Sequence, residues 1–102
     1  MAMPKTAFIV LKSPVELDPT HLMKRLADRQ DATALLLEDG VYQAVQSVAA
    51  DRLGKAVGEV LVSHEDLEAR GFGTSDLKLG KAVGYPEIVD CLMERTERSI
   101  TL

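Results

Sequence analysis

The chain has 102 residues, 46% of them apolar and 27% charged, with a net charge of −4. This fits one ordinary globular domain spanning residues 1–102. The acidic balance argues against direct nucleic-acid binding, the absence of Trp removes the usual stacking platforms, and no apolar run approaches the roughly 20 residues that span a bilayer.

Met1-Ala2-Met3-Pro4-Lys5 leads into a short apolar run without a small-residue cleavage site, so no leader peptide is expected. A lone cysteine, Cys91, excludes an intramolecular disulfide, and the cytoplasm is the simplest compartment. Ala7-Phe8-Ile9-Val10-Leu11 reads as a strand covered on both faces, ended by Lys12-Ser13-Pro14. Asp18-Pro19 has the form of a helix cap followed by proline at the first helical position. In the helix after it, Leu22, Met23 and Leu26 share a face. A second strand is expected over residues 33–37. The turn Glu38-Asp39-Gly40 follows, then a helix with Val41, Ala44, Val45 and Val48 at i, i+3, i+4, i+7.

A third strand is expected over residues 57–62. Ser63 then caps a short helix, with Asp66 reaching back as in a capping box, and Arg70-Gly71 closes it. Residues 77–83 read as a weaker strand near a sheet edge. Pro86 opens a last helix running to about Arg95, and Ser99-Ile100-Thr101-Leu102 forms a final edge strand. This alternation predicts an α/β fold with three layers, α/β/α, around a mainly parallel sheet of four to five strands with right-handed crossovers.

Leu53-Gly54-Lys55-Ala56-Val57-Gly58 recurs as Leu79-Gly80-Lys81-Ala82-Val83-Gly84, with flanks that do not match. Two copies make no solenoid. Neither is a phosphate-binding loop, which requires Ser or Thr after the lysine, where alanine stands both times. A phosphate-receiver domain is also rejected. It needs acids after the first strand and an aspartate after the third, where Lys12-Ser13-Pro14 and Ser63-His64 stand.

Glu38 and Asp39 end a central strand at the edge where parallel α/β folds gather ligands. Adjacent acids with no histidine beside them are a poor metal pair, and the simpler expectation is that Asp39 caps the next helix while Glu38 faces solvent. His21 and His64 fall in different helices and are read as surface residues. With Cys91 they match no zinc spacing, and no metal or other cofactor is expected. On a helical wheel Ile88, Val89, Leu92 and Met93 form the apolar face of the last helix. Cys91 then lies off its centre, partly exposed or covered by another subunit, near Glu87, Glu94 and Arg95. Acids disfavour the thiolate, so Cys91 is a weak catalytic candidate.

Several segments together resemble the TusB/DsrH-like family of the DsrE/F/H superfamily. They are Lys12-Ser13-Pro14, the turn Leu36-Leu37-Glu38-Asp39-Gly40-Val41-Tyr42, the segment Asp66-Leu67-Glu68-Ala69-Arg70-Gly71-Phe72, and Tyr85 followed by Ile88-Val89-Asp90. The resemblance implies a subunit of a cytoplasmic sulfur-relay complex that works with related TusC/DsrF-like and TusD/DsrE-like subunits. These pass persulfide sulfur toward 2-thiouridine in tRNA or within sulfur oxidation. Some members carry a cysteine in the first helix, where this chain has Leu22 and Met23. The expected role is therefore to scaffold a cysteine-bearing partner, with Asp39, Gly40 and Tyr42 at an interface. Two alternatives stand beside it: a small sulfurtransferase using Cys91 as persulfide carrier, and a stand-alone homo-oligomeric binding protein.

Overall fold

A computed structural model describes residues 5–102; the start at Met1–Pro4, where no leader was expected, lies outside the described residues. Five strands form one sheet: β1 (Thr6–Val10), β2 (Ala32–Leu36), β3 (Glu59–Ser63), β4 (Lys81–Val83) and β5 (Arg98–Thr101). Their order is β4-β3-β2-β1-β5, and every pairing is parallel. Each later strand is therefore reached from the one before it in the chain through a crossover, the last running from one edge of the sheet to the other. The crossovers are α1 (Thr20–Leu26), α2 (Tyr42–Val45) with α3 (Ser47–Ala56), α4 (His64–Ala69), and α5 (Tyr85–Asp90), which continues as a π-helical segment over Cys91–Arg95.

Side chains alternate across a strand, so the register sorts the core by parity. Phe8, Val10, Ala34, Leu36, Val60 and Val62 face the larger core, together with Met23 and Ala27, Ala44, Leu53 and Ala56, and Leu67 of α4. Ala7, Leu35 and Leu61 face the other side, where Ile88 and Cys91 pack on them. Three layers result, but they are unequal. One sheet face is covered by α1, α2 and α3, the other by α5 and its π-helical extension.

The expected strands are present with ends shifted by a residue or two, and the weak strand shrinks to three residues at a sheet edge. The first helix starts one residue later than expected, at Thr20, with Pro19 in the cap position and no side-chain cap bond; Asp18 Oδ1 instead accepts from the Thr20 amide at 3.1 Å and the Thr20 hydroxyl at 2.6 Å. The hydroxyl bond, the amide bond and the Arg52 and His21 charges outweigh burial and hold its carboxyl below the usual range.

The second helix departs from expectation. The periodicity joined Val41 to Val48 in one helix, but the backbone is extended at Gln46 (φ −87°, ψ 123°) and the helix breaks there. Val48 consequently turns to solvent. Gln43, polar and unremarked in the sequence, is buried instead, and its Nε2 donates to the carbonyls of Lys12 and Leu17 at 3.2 and 3.0 Å. These bonds satisfy the amide and pin the loop after β1.

The repeat has no structural counterpart. Its first copy ends α3, while its second enters β4.

Candidate functional site

Two regions gather the chemistry-bearing side chains, at opposite ends of the strands. At the carboxyl end, the chain leaves β2 through a 3-10 turn over Glu38–Val41. Glu38 has φ +51°, a left-handed conformation that is strained for a side chain with a Cβ. Gly40 is not left-handed. A Cβ there would lie 1.9 Å from the Val10 carbonyl oxygen, the same oxygen that accepts from the Leu37 amide at 3.1 Å. Glycine is required because the turn packs directly on the end of β1, not because of its φ.

Asp39 does not cap the following helix, and no side-chain cap bond forms there. Its Oδ1 instead accepts from Arg70 Nε of α4 at 2.9 Å, with its side chain 52% exposed. Tyr42 packs edge-on against Phe72, ring centroids 5.5 Å apart and planes at 87°. Such a contact adds about 0.5–1.5 kcal/mol to simple burial.

Asp66 sits at the centre of this end. Ser63 Oγ accepts from the Asp66 amide at 3.2 Å, so Ser63 is the cap expected from the sequence. The reciprocal half of the capping box is not made. The Asp66 carboxylate reaches outward, where Oδ2 accepts from the Glu38 amide at 3.0 Å and from the Tyr85 hydroxyl at 2.8 Å. Arg70 Nη1 donates to the Asp66 carbonyl at 3.2 Å and lies 3.9 Å from its Oδ1. Burial opposes the charge on Asp66. The Glu38, Tyr85 and Ser63 hydrogen bonds and the Arg70 guanidinium outweigh it and hold the carboxyl below its ordinary value. Bonding to that carboxylate also pushes the Tyr85 hydroxyl up. Tyr85 and Arg70 thus complete a network of which the sequence showed only the acids. Their signal was the Asp-Leu-x-Ala-Arg-Gly segment and an aromatic residue directly before a helix-opening proline.

At the amino end of the strands lies a cleft of about 410 Å³, lined by Lys5, Arg29, Asp31, Thr33, Glu59, Cys91 and Arg95 among others. Cys91 is not partly exposed, as the helical wheel implied, but 1% exposed within the smaller core. Of the four residues the wheel placed on the inner face, Ile88 is buried and Leu92 packs partly against the same core, but Val89 and Met93 are in solvent and Cys91 takes the inner position. Burial pushes the Cys91 thiol up; Arg95 opposes the rise, while Glu59 and Asp90 add to it. Glu87 and Glu94 are therefore not the acids that matter. Arg95 is itself engaged by Glu59, Nη1 to Oε2 at 3.5 Å, and Glu59 Oε1 accepts from Thr33 Oγ1 at 3.2 Å.

His21 and His64 are exposed on separate helices, His64 within 2.9 Å of Glu68. Among the described residues no group of three or more His, Cys, Asp or Glu is placed to hold a metal ion, and no helix is long and apolar enough to cross a membrane.

Residues 12–98 match the family described as DsrH like protein. The chain is similar to Protein TusB of Erwinia tasmaniensis, 31% identical over 90 residues that cover 87% of this chain and 93% of that protein. The solution NMR structure of protein Tm0979 from Thermotoga maritima shares the fold, with a TM-score of 0.61 at 24% identity. The match covers 87% of this chain and 93% of that one.

Proposed function

The chain belongs to the DsrH-like family, and from that premise we propose that it is a subunit of a cytoplasmic sulfur-relay assembly, scaffolding a partner that carries the reactive cysteine. The observation that carries this reading is the state of Cys91. A persulfide acceptor works as a thiolate, exposed and favoured by positive charge. Here the one thiol is buried, its ionisation is opposed by burial, and the guanidinium beside it is held by Glu59. The partners in this reading are TusC/DsrF-like and TusD/DsrE-like subunits. The name of the relative, Protein TusB, favours the 2-thiouridine branch over sulfur oxidation.

We further propose that the turn built from Asp39, Gly40 and Tyr42 belongs to the contact surface. Asp39 offers a half-exposed carboxylate there. Gly40 sets the backbone path, and Tyr42 is held against Phe72.

The cleft beside Cys91 favours one other reading, in which the chain itself accepts sulfur. The test is transfer of radiolabelled sulfur from a cysteine desulfurase to the purified chain and to its Cys91→Ser variant, alone and with the related subunits. A scaffold leaves the isolated chain unlabelled and the relay of the assembly nearly unchanged by the substitution. Stoichiometric, reductant-sensitive labelling of the wild type alone makes Cys91 a relay station.

A further inference from the structure

We propose that the outer flank of α5 docks a second, different polypeptide that presents an apolar patch bordered by lysine or arginine. This rests on the subunit reading above and adds the surface and its chemistry.

Tyr85, Val89 and Met93 follow one another at four-residue steps along α5 and its π-helical extension, and they are 42, 56 and 75% exposed. Scattered exposed apolar side chains are ordinary, but three in register on one helix make a stripe. The helix spends its inner face on Ile88 and Cys91, so the stripe serves no internal packing. Tyr85 is also preorganised. Its hydroxyl donates to Asp66 Oδ2, which fixes the ring without covering it. A rigid aromatic residue loses little side-chain freedom on binding, and Tyr is enriched among the residues that dominate interface energy. The same Asp66 oxygen holds the Glu38 amide, so the stripe begins beside the Glu38-Asp39 turn.

Charge selects the occupant. Glu87, Asp90 and Glu94 are exposed on the same segment, and Asp90 and Glu94 each directly follow a stripe residue, Val89 and Met93. The one cation of this segment, Arg95, is turned toward Cys91 and Glu59. Two copies of this chain pairing their stripes antiparallel about a two-fold axis would set these acids against each other, because the axis carries each flank onto the same side. A basic border on a different chain meets them with opposite charge, which speeds encounter and rejects like-charged partners.

The experiment is co-purification, with measured affinity, of the chain with DsrE-like and DsrF-like subunits of the same genome. Its variants are Val89→Asp with Met93→Asp, the charge reversal Glu87→Lys with Asp90→Lys and Glu94→Lys, and the control Val48→Asp on α3. Circular dichroism confirms that each keeps the wild-type fold. The double variant is expected to weaken binding at least about tenfold, the size of one lost anchor. The charge reversal should weaken binding and reverse its salt dependence, because salt then screens a repulsion, and Val48→Asp should change neither. Wild-type-like binding by both test variants overturns the α5 surface and leaves the subunit reading standing. Failure of the wild type to bind either subunit overturns the subunit reading, and this proposal with it. A dimer of the isolated chain by light scattering, abolished by the double variant, makes a second copy the occupant and overturns the basic partner.

Discussion

The two ends of the sheet treat their reactive groups differently. At the carboxyl end, Asp39, Asp66, Arg70 and Tyr85 come from three separate loops and helices and are tied to one another and to the Glu38 amide. At the amino end, the nucleophile that draws most attention in the sequence is packed among Ala7, Leu35 and Leu61. Polar groups at the first end are used to hold loops together. The thiol at the second end is used as a small apolar side chain. Neither arrangement frees a nucleophile or a base.

The largest expected effect tests how tightly the carboxyl end is packed. Gly40→Ala sets a Cβ against the Val10 carbonyl, a backbone atom that cannot swing aside. Chemical denaturation should show a loss of at least about 3 kcal/mol, the upper part of the overpacking range. A loss below 1 kcal/mol would mean that the turn lifts off β1 at little cost.

Asp66→Asn comes next, at about 2 kcal/mol, because bonds to a charged acceptor are the stronger ones. The comparison sharpens with pH. The Asp66 pKa is lowered on folding, so its stabilising contribution is complete above the unfolded carboxylate value of about 3.9 and is lost as pH falls through the folded value. The variant should therefore lose less stability than the wild type between neutral pH and strong acid. Tyr85→Phe should give a partial version of the same change.

Cys91→Ser places a hydroxyl in the smaller core and should cost about 1–3 kcal/mol without altering the acid limb. Labelling of the wild-type thiol by an aromatic disulfide reagent should be slow at neutral pH and become fast in denaturant. A rate in buffer like that of the unfolded chain would contradict the contrast between the two ends.

The smallest effect is a gain. Glu38→Gly relieves a left-handed side chain and should stabilise by up to about 1 kcal/mol, read as a higher denaturation midpoint. A loss would mean that the Glu38 side chain makes a contact worth more than the strain.

The alternation of apolar runs and helical patterns was enough to read the layers and the parallel sheet, because buried strands and crossovers leave local signals. Ser63 as a cap and Gly71, at φ +81°, as a helix stop were equally legible. What was not legible depended on distant neighbours. Nothing near Gly40 announces that Val10 lies against it, and nothing near Asp66 announces the Glu38 amide 28 residues away. The wheel for the last helix erred because hydrophobicity alone cannot choose between a core and an outer apolar face. Val89 and Met93 outweighed Cys91 in the pattern, and the sheet chose Cys91. The break at Gln46 was hidden because Val45 and Val48 kept the period across it.

The position of β5 carries a consequence for how the molecule is made. The strand nearest the carboxyl end of the chain pairs with β1, the first, and Arg98 crosses back to donate to Thr6 Oγ1 and the Leu26 carbonyl. A chain emerging from the ribosome can pair β1 with β2 and β2 with β3 in turn. The outer edge of β1 stays open until residues 98–101 have cleared the exit tunnel. Folding is then completed by the longest loop closure in the domain, and for that interval an apolar strand edge is available to neighbouring nascent chains. A polypeptide synthesised close by at that moment would meet the sheet before its own last strand does.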